Sequence, residues 1–318
     1  MGRSIYIVGS GTLKREQNTI ALRRQGKEPR YFPIEGTEDI YVFGEISINT
    51  ALLKLLMKKG VPLHLFDRYG SYIGSFLPIK PQTSAISYIR QFEHFRGPQK
   101  RLYIARSLQI ASVRSMRNYL RRQVRSGRVD IESVEKIEKY LQDMERETTL
   151  EGLRSYEGLA RKIYFSEFAN LTGDYPFSGR IMHPPGDPIN ALLSYGYGVL
   201  YGKVLSAIFE THLDPRISFV HEPTFKGYTL HLDIADLFKV AVVDSLVLSM
   251  AGRHQIKENW FHSENGGTYL SGEGKRAFIS ALEEKFEKRY KSIIKKNVRA
   301  LQHHIDDGKE WQPFVWKG

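Results

Sequence analysis

Apolar residues in this chain change their spacing once, and the change divides the sequence in two. From Ser4 to about Leu77 they come in short strand-like runs (SIYIVG, TLKREQNTIALRR, PRYFPIEG, DIYVFG, VPLHLFD and SYIGSFLP) punctuated by Gly and Pro. One helix interrupts the series: SINTALLKLLMKKG opens with a Ser or Asn cap, carries a leucine face and stops at Gly60. PIKPQTSA, with two prolines and no period, begins at Pro78. Beyond it strand signals nearly vanish, and helical periods run through 87–125, 131–171, 189–212, 232–253 and 273–305. The pattern predicts an α+β chain of two domains: a small N-terminal β-rich domain over 1–77, a linker over 78–86 and a larger, mostly α-helical domain over 87–318. With 318 residues, each part is long enough to bury its own core.

Composition narrows the chemistry. There is no cysteine, which excludes disulfides, thiolate zinc sites and cysteine nucleophiles, so any metal must be held by His, Asp or Glu. A formal charge of +12 favours a polyanionic partner, because lysine and arginine release counterions condensed on nucleic acid. No uninterrupted apolar stretch reaches bilayer-spanning length and MGRSIYIVGSG has no cleavage pattern, so a soluble, cytoplasmic protein without membrane contact is expected. Between Arg90 and Arg128 there are eleven Lys or Arg and one acid, Glu93. Arg114, Arg117, Arg121, Arg125 and Arg128 recur there at helical spacing, opposite Val113, Met116, Leu120 and Val124. A solvated helix face would account for the stripe, but like charges so placed repel, which favours a phosphate backbone as the compensating partner.

A second feature is SFVHEPTFKGYTLHLDIADLFKVAVVD, residues 218–244, where Asp233 and Asp236 interrupt an apolar helical run and His221 precedes them. Two close acids raise each other's pKa unless a cation or hydrogen bonds favour the charged form. A divalent ion meets that need, and one imidazole with carboxylates suits Mn²⁺ or Mg²⁺. Helix-dipole complementation by the aspartates and a merely hydrogen-bonded histidine would account for the same residues, and spacing selects no third ligand. Asp244 continues the same helical line but lies roughly 12 Å further along, too far to share an ion with Asp236. Gly9-Ser-Gly11 lacks the third glycine of a dinucleotide loop, since Lys14 stands there and a strand follows.

YEGLARKIYF (156–165), GRIMHPPGDPINALLSYGYGVLYG (179–202) and the 218–244 segment together, and in that order, resemble the CRISPR-associated integrase family of spacer acquisition, numbered one among CRISPR-associated proteins. The likeness extends over the whole chain. It implies a metal-dependent DNA integrase and endonuclease that inserts short DNA fragments into a CRISPR array by 3′-OH transesterification, in the adaptation stage of antiviral defence. It further implies one divalent ion per site, Mn²⁺ or Mg²⁺, held by Glu157, His221 and Asp236, with Asp233 supporting them. Arg161 and Lys239 are placed to stabilise developing charge, and Tyr164, Arg180 and Asn190 to orient substrate or ligands. Arg114, Arg117 and Arg121 would form a DNA track outside the centre. The family implies a homodimer, joined largely through the β domain, and a small second adaptation subunit bridging two dimers. It more often reads D-x-x-E-x-F-R where this chain has Asp233, Asp236, Phe238 and Lys239; the shorter acid draws an ion towards the helix, and Lys cannot make bidentate contacts. Two rival readings are a metal-dependent nuclease for branched or single-stranded DNA, using water as nucleophile, and a non-catalytic nucleic-acid-binding scaffold.

Overall fold

The computed structural model describes residues 3–78, 84–224 and 227–318; most of the expected linker, residues 79–83, lies outside the described residues. The first part contains β1 (Arg3–Val8), β2 (Gly11–Glu16), β3 (Thr19–Arg24), β4 (Lys27–Pro33), β5 (Thr37–Phe43), β6 (Ile46–Ile48), α1 (Thr50–Lys59), β7 (Leu63–Phe66) and β8 (Tyr72–Phe76). They form two four-stranded sheets, ordered β1-β5-β7-β8 and β4-β3-β2-β6. β1, β5 and β7 run parallel, and β8 is antiparallel to β7. Asn49 caps α1 by accepting the Leu52 amide at 3.0 Å, and Gly60 ends it in the left-handed region, as the sequence predicts.

Strand side chains alternate between faces, and the alternation assigns each face a different partner. Ile5, Ile7, Ile40, Val42 and Leu63 pack with Leu52, Leu55 and Leu56 of α1 and with Leu13, Ile20 and Leu22 of the second sheet. Their neighbours Tyr6, Tyr41, Phe43 and Phe66 point the other way and belong to the core of the helical part. Phe43 stacks on Phe66 at 4.5 Å and meets Tyr195 at 5.0 Å between ring centres.

The helical part comprises α2 (Ala85–Arg96), α3 (Pro98–Val124), α4 (Ile131–Arg146), α5 (Leu150–Ser166), α6 (Phe168–Leu171), α7 (Pro188–Phe209), α8 (Leu230–Ala235), α9 (Ser245–Gly252), α10 (Gly272–Lys285) and α11 (Lys291–Asp307). The period over 87–125 is two helices, because Pro98 cannot donate to α2 and holds Gly97 extended, yet is well suited to start α3. A hairpin that periodicity does not reveal, β9 (Phe261–Glu264) with β10 (Gly267–Leu270), turns at Asn265-Gly266, both at positive φ. That dipeptide is the sequence signal for such a turn. The segment expected as one helix over 232–253 is broken. After α8 the chain makes a wide π-turn at Val240–Asp244 before α9, which rotates Asp244 off the line of Asp236.

α7 is the platform between the two parts. By length and composition it could cross a membrane, but 78% of its apolar window is buried inside the protein. Lys203 on it is buried at the seam, with Nζ 2.6 Å from Ser4 Oγ and 2.9 Å from Glu283 Oε1, over the rings of Tyr6, Tyr41 and Phe286. Gly198 permits the β7–β8 turn to approach: a Cβ there would stand 2.4 Å from the Gly70 carbonyl oxygen. Although alanine is favoured in helices by about 1 kcal/mol, Gly198→Ala should lower stability by roughly 1–3 kcal/mol through overpacking. Gly158→Ala, in open space on the exposed face of α5, should instead gain about 0.5–1 kcal/mol. Urea unfolding midpoints of the two variants check the contrast.

Candidate active site

Asp233 answers for the first of the two acids in the apolar run. It is buried, and its Oδ2 accepts the backbone amides of Phe219 (2.6 Å) and Val220 (2.9 Å). Oδ1 accepts the His221 amide at 3.0 Å and meets His221 Nδ1 at 2.6 Å. These bonds occupy the carboxylate and satisfy three amides that have no ladder partner there. Asp233 thus orients the imidazole. The Asp233 bond, opposed by burial, raises the His221 pKa. With Nδ1 engaged, the ring has Nε2 free to act as a ligand or proton acceptor.

The other candidates converge on a common positive centre. Arg161, one turn after Glu157 on α5, donates from Nε to Glu157 Oε1 at 2.6 Å, and its Nη2 lies 3.6 Å from Asp236 Oδ2. Lys239 Nζ is 2.5 Å from Asp236 Oδ1. Burial opposes ionisation of Asp236, yet Lys239 and Arg161 hold its pKa below the usual carboxylate value. Burial likewise works against the charge on Arg161 and Lys239; Glu157 and Asp236 outweigh it for Arg161, and Asp236 with Tyr201 for Lys239. Glu157, His221, Asp236, Arg161, Arg180 and Lys239 all line one cleft of about 930 Å³. Its wall carries Arg154, Arg161, Lys162, Arg180 and Lys239 against three acids, Glu157, Glu222 and Asp236, so it suits an anionic substrate.

Among the described residues no group of three or more His, Asp or Glu side chains forms a ready metal cage. The donor set nevertheless fits a hard divalent cation in kind: two carboxylates already face one cationic centre, and an imidazole backed by a carboxylate lines the same cleft.

The sequence model described as "CRISPR associated protein Cas1" matches residues 5–284. The "CRISPR-associated endonuclease Cas1" of Thermotoga maritima is 37% identical over 315 residues, covering 95% of this chain and 96% of that protein. This chain belongs to the Cas1 family. "CRISPR-associated endonuclease Cas1 2" of Moorella thermoacetica is 35% identical over 326 residues, 99% of each. A solved Cas1 protein of Thermotoga maritima superposes with a TM-score of 0.89 at 35% identity, over 99% of this chain and all of that one.

Within this Cas1 fold the remaining sequence candidates separate. Arg180 stays in the cleft, donating to Asn190 Oδ1 (2.8 Å), the Ile181 carbonyl (2.7 Å) and Ser194 Oγ (2.9 Å), with its guanidinium 5.4 Å from the Tyr197 ring centre. Asn190 is buried and does not line the cleft: it donates to the Gly179 carbonyl and Asp187 and accepts from Ile181 and Arg180, so it orients Arg180 by fastening the 179–181 segment. Tyr164 is corrected. It is a fully buried core residue whose hydroxyl donates to Asp244 Oδ2 at 3.1 Å, so it touches no cleft occupant. Asp244, turned inward by the π-turn, also accepts from Tyr197 at 2.6 Å, and burial raises its pKa. Tyr197 is the residue sequence reasoning missed: its ring carries both Arg180 and Lys239, the latter at 5.0 Å. Tyr201, one turn on, lies 5.3 Å from the Lys239 ammonium. The spacing of the two tyrosines along α7 was the available signal.

The arginine stripe also reads differently in three dimensions. Arg114 pairs with Glu145 at 2.8 Å, Arg117 with Glu138 at 2.5 Å and Arg121 with Glu138 at 3.8 Å, all acids of α4. The missing compensation that pointed to phosphate at these three positions is therefore supplied by the neighbouring helix.

Asp233→Asn tests the support. Because the Asp233 bond is the largest cause of the raised His221 pKa, titration of the His221 ring followed by NMR should fall back towards 6.5 in this variant. In the parent chain the raised value means the pair contributes stability fully below pH 6.5 and loses it as pH rises through the folded pKa. That acidic-side contribution should be smaller in the variant.

Proposed function

We propose that the chain is a metal-dependent DNA integrase and endonuclease of CRISPR adaptation, joining a DNA 3′-OH to a target strand in its α-helical domain. The observation that carries this reading is the convergence of Glu157 and Asp236 on one cationic centre in a basic cleft that also holds the buttressed His221. Its relatives in Thermotoga and Moorella bear the name endonuclease. Glu157, His221 through Nε2, and Asp236 would hold one Mn²⁺ or Mg²⁺. Such an ion, when bound, polarises a scissile phosphodiester and lowers the pKa of the attacking hydroxyl.

The chain's own residues supply the rest. Arg161 and Lys239 neutralise the two carboxylates in the free protein, and both remain as donors for phosphate oxygens once those carboxylates have another partner. Arg180, fixed by Asn190, Ser194 and the Tyr197 ring, offers a preorganised guanidinium for the strand being joined. Insertion at both ends of a repeat needs two sites at a fixed spacing, so the working form is a homodimer associated with a small second adaptation subunit.

Asp236→Ala and Glu157→Ala test this in a strand-transfer assay with a free 3′-OH donor. Loss of a residue merely supporting a metal ligand costs about 10–100-fold, so loss of either ligand should cut joined product by at least about 100-fold while DNA binding persists. Hydrolysis without joined product in the parent chain would favour the nuclease reading. Undiminished processing by both variants would leave only a scaffold.

A further inference from the structure

A cavity of about 340 Å³ lies behind the catalytic cleft, lined by Arg122 and Gln123 near the end of α3, by Arg128 in the turn after it, by Ser249 and Arg253 at the end of α9, and by Trp316. Tyr119 is part of its wall and meets Tyr164 edge-on at 6.2 Å, so the Tyr164–Asp244–Tyr197 hydrogen bonds stand between this cavity and the cleft. Its size falls among small-molecule sites, about 300–1,000 Å³.

Three guanidinium groups on exposed residues share this space; Arg128 Nε donates to Ser126 Oγ at 3.1 Å, and none of the three pairs with a carboxylate among the described residues. The contrast with the α4 side of the same helix is sharp, where Arg114, Arg117 and Arg121 all have glutamate partners. Gly318, beside Arg122, gives its carbonyl to Arg289. Helix-end carbonyls do not account for the arginines either. Those of Ser249, Met250 and Ala251 accept backbone amides of Arg253, Gln255 and His254, and those of Gln123 and Val124 accept amides of Ser126, Gly127 and Arg128. Gln123 is 5% exposed, and its Oε1 has no hydrogen-bond partner. A buried amide left unsatisfied at a cavity wall marks a place for a polar occupant, and by rotation it can present either its oxygen or its NH₂.

We infer that this cavity is a phosphate-binding site distinct from the catalytic cleft, in which Arg122, Arg128 and Arg253 hold the oxygens of a phosphate group carried by a nucleic-acid strand or free in solution. Guanidinium forks match phosphate oxygens, and uncompensated arginines around a polar space leave a dianion or diester as the fitting occupant. The site does not depend on the chemistry proposed for the cleft.

The test is the Arg128→Gln/Arg253→Gln double variant of the full chain. Inorganic phosphate, titrated against chloride at constant ionic strength, should raise the Tm of the parent chain, and its apparent affinity should fall at least about 10-fold in the variant. Duplex DNA binding is measured in parallel as a function of salt, where loss of the one phosphate contact lowers the log–log slope by about 0.9. Loss of the phosphate response together with the lower slope supports a strand phosphate as occupant, and loss of the response with an unchanged slope supports free phosphate. Equal phosphate response and equal slope in variant and parent overturn the site. The Asp236→Ala chain should respond to phosphate as the parent does, which keeps a failure of the integrase reading distinguishable from a failure of this one.

Discussion

The capture of three backbone amides and one imidazole by the Asp233 carboxylate is the constraint on which the cleft side of the molecule depends. The segment leading to His221 is irregular, and irregular backbone at the edge of a core must find partners for its amides. A buried carboxylate supplies them at once and fixes the ring in the same set of bonds. Its position near the start of α8 also explains why an otherwise apolar run tolerates an acid: the charge is stabilised by amides and by the histidine, whose raised pKa reports the other half of that balance.

Charge compensation follows the same logic across the cleft. Glu157 and Asp236 are each held by a neighbour on their own helical segment, Arg161 four residues on and Lys239 three residues on. Such pairs compensate both carboxylates without a preformed metal cage, and they put two cations at the wall of the cleft. α7 joins this arrangement to the rest of the fold. Its glycine-permitted contact with the β7–β8 turn, its buried Lys203 and its tyrosine face make one helix both the seam between the two parts and the floor under Arg180 and Lys239.

Much of the fold was legible in the sequence because period-2 and period-3.6 patterns are local. The strands of the first part, α1 with its Asn49 cap and Gly60 stop, and the helical character of the remainder follow from spacing alone. The β9–β10 hairpin was missed because two four-residue strands carry little period, and only Asn265-Gly266 betrays the turn. The π-turn was missed because nothing in VAVVD distinguishes a widened turn from a regular one. That single irregularity moved Asp244 from an apparent continuation of the Asp236 line into a buried bond with two tyrosines.

The sequence by itself determined the division into a β-rich and a helical part, the exclusion of cysteine chemistry, the excess of positive charge, and the three ordered motifs that contain Glu157, His221 and Asp236. Which acid supports and which faces the cleft, where Tyr164 points, and which arginines are already compensated were decided only by tertiary structure. The physical reason is that helical spacing specifies neighbours within one helix, whereas hydrogen-bond saturation and charge pairing are settled by what another segment brings to the same place. Asp233 and Asp236 are three residues apart in sequence, yet one meets backbone amides and the other meets Arg161.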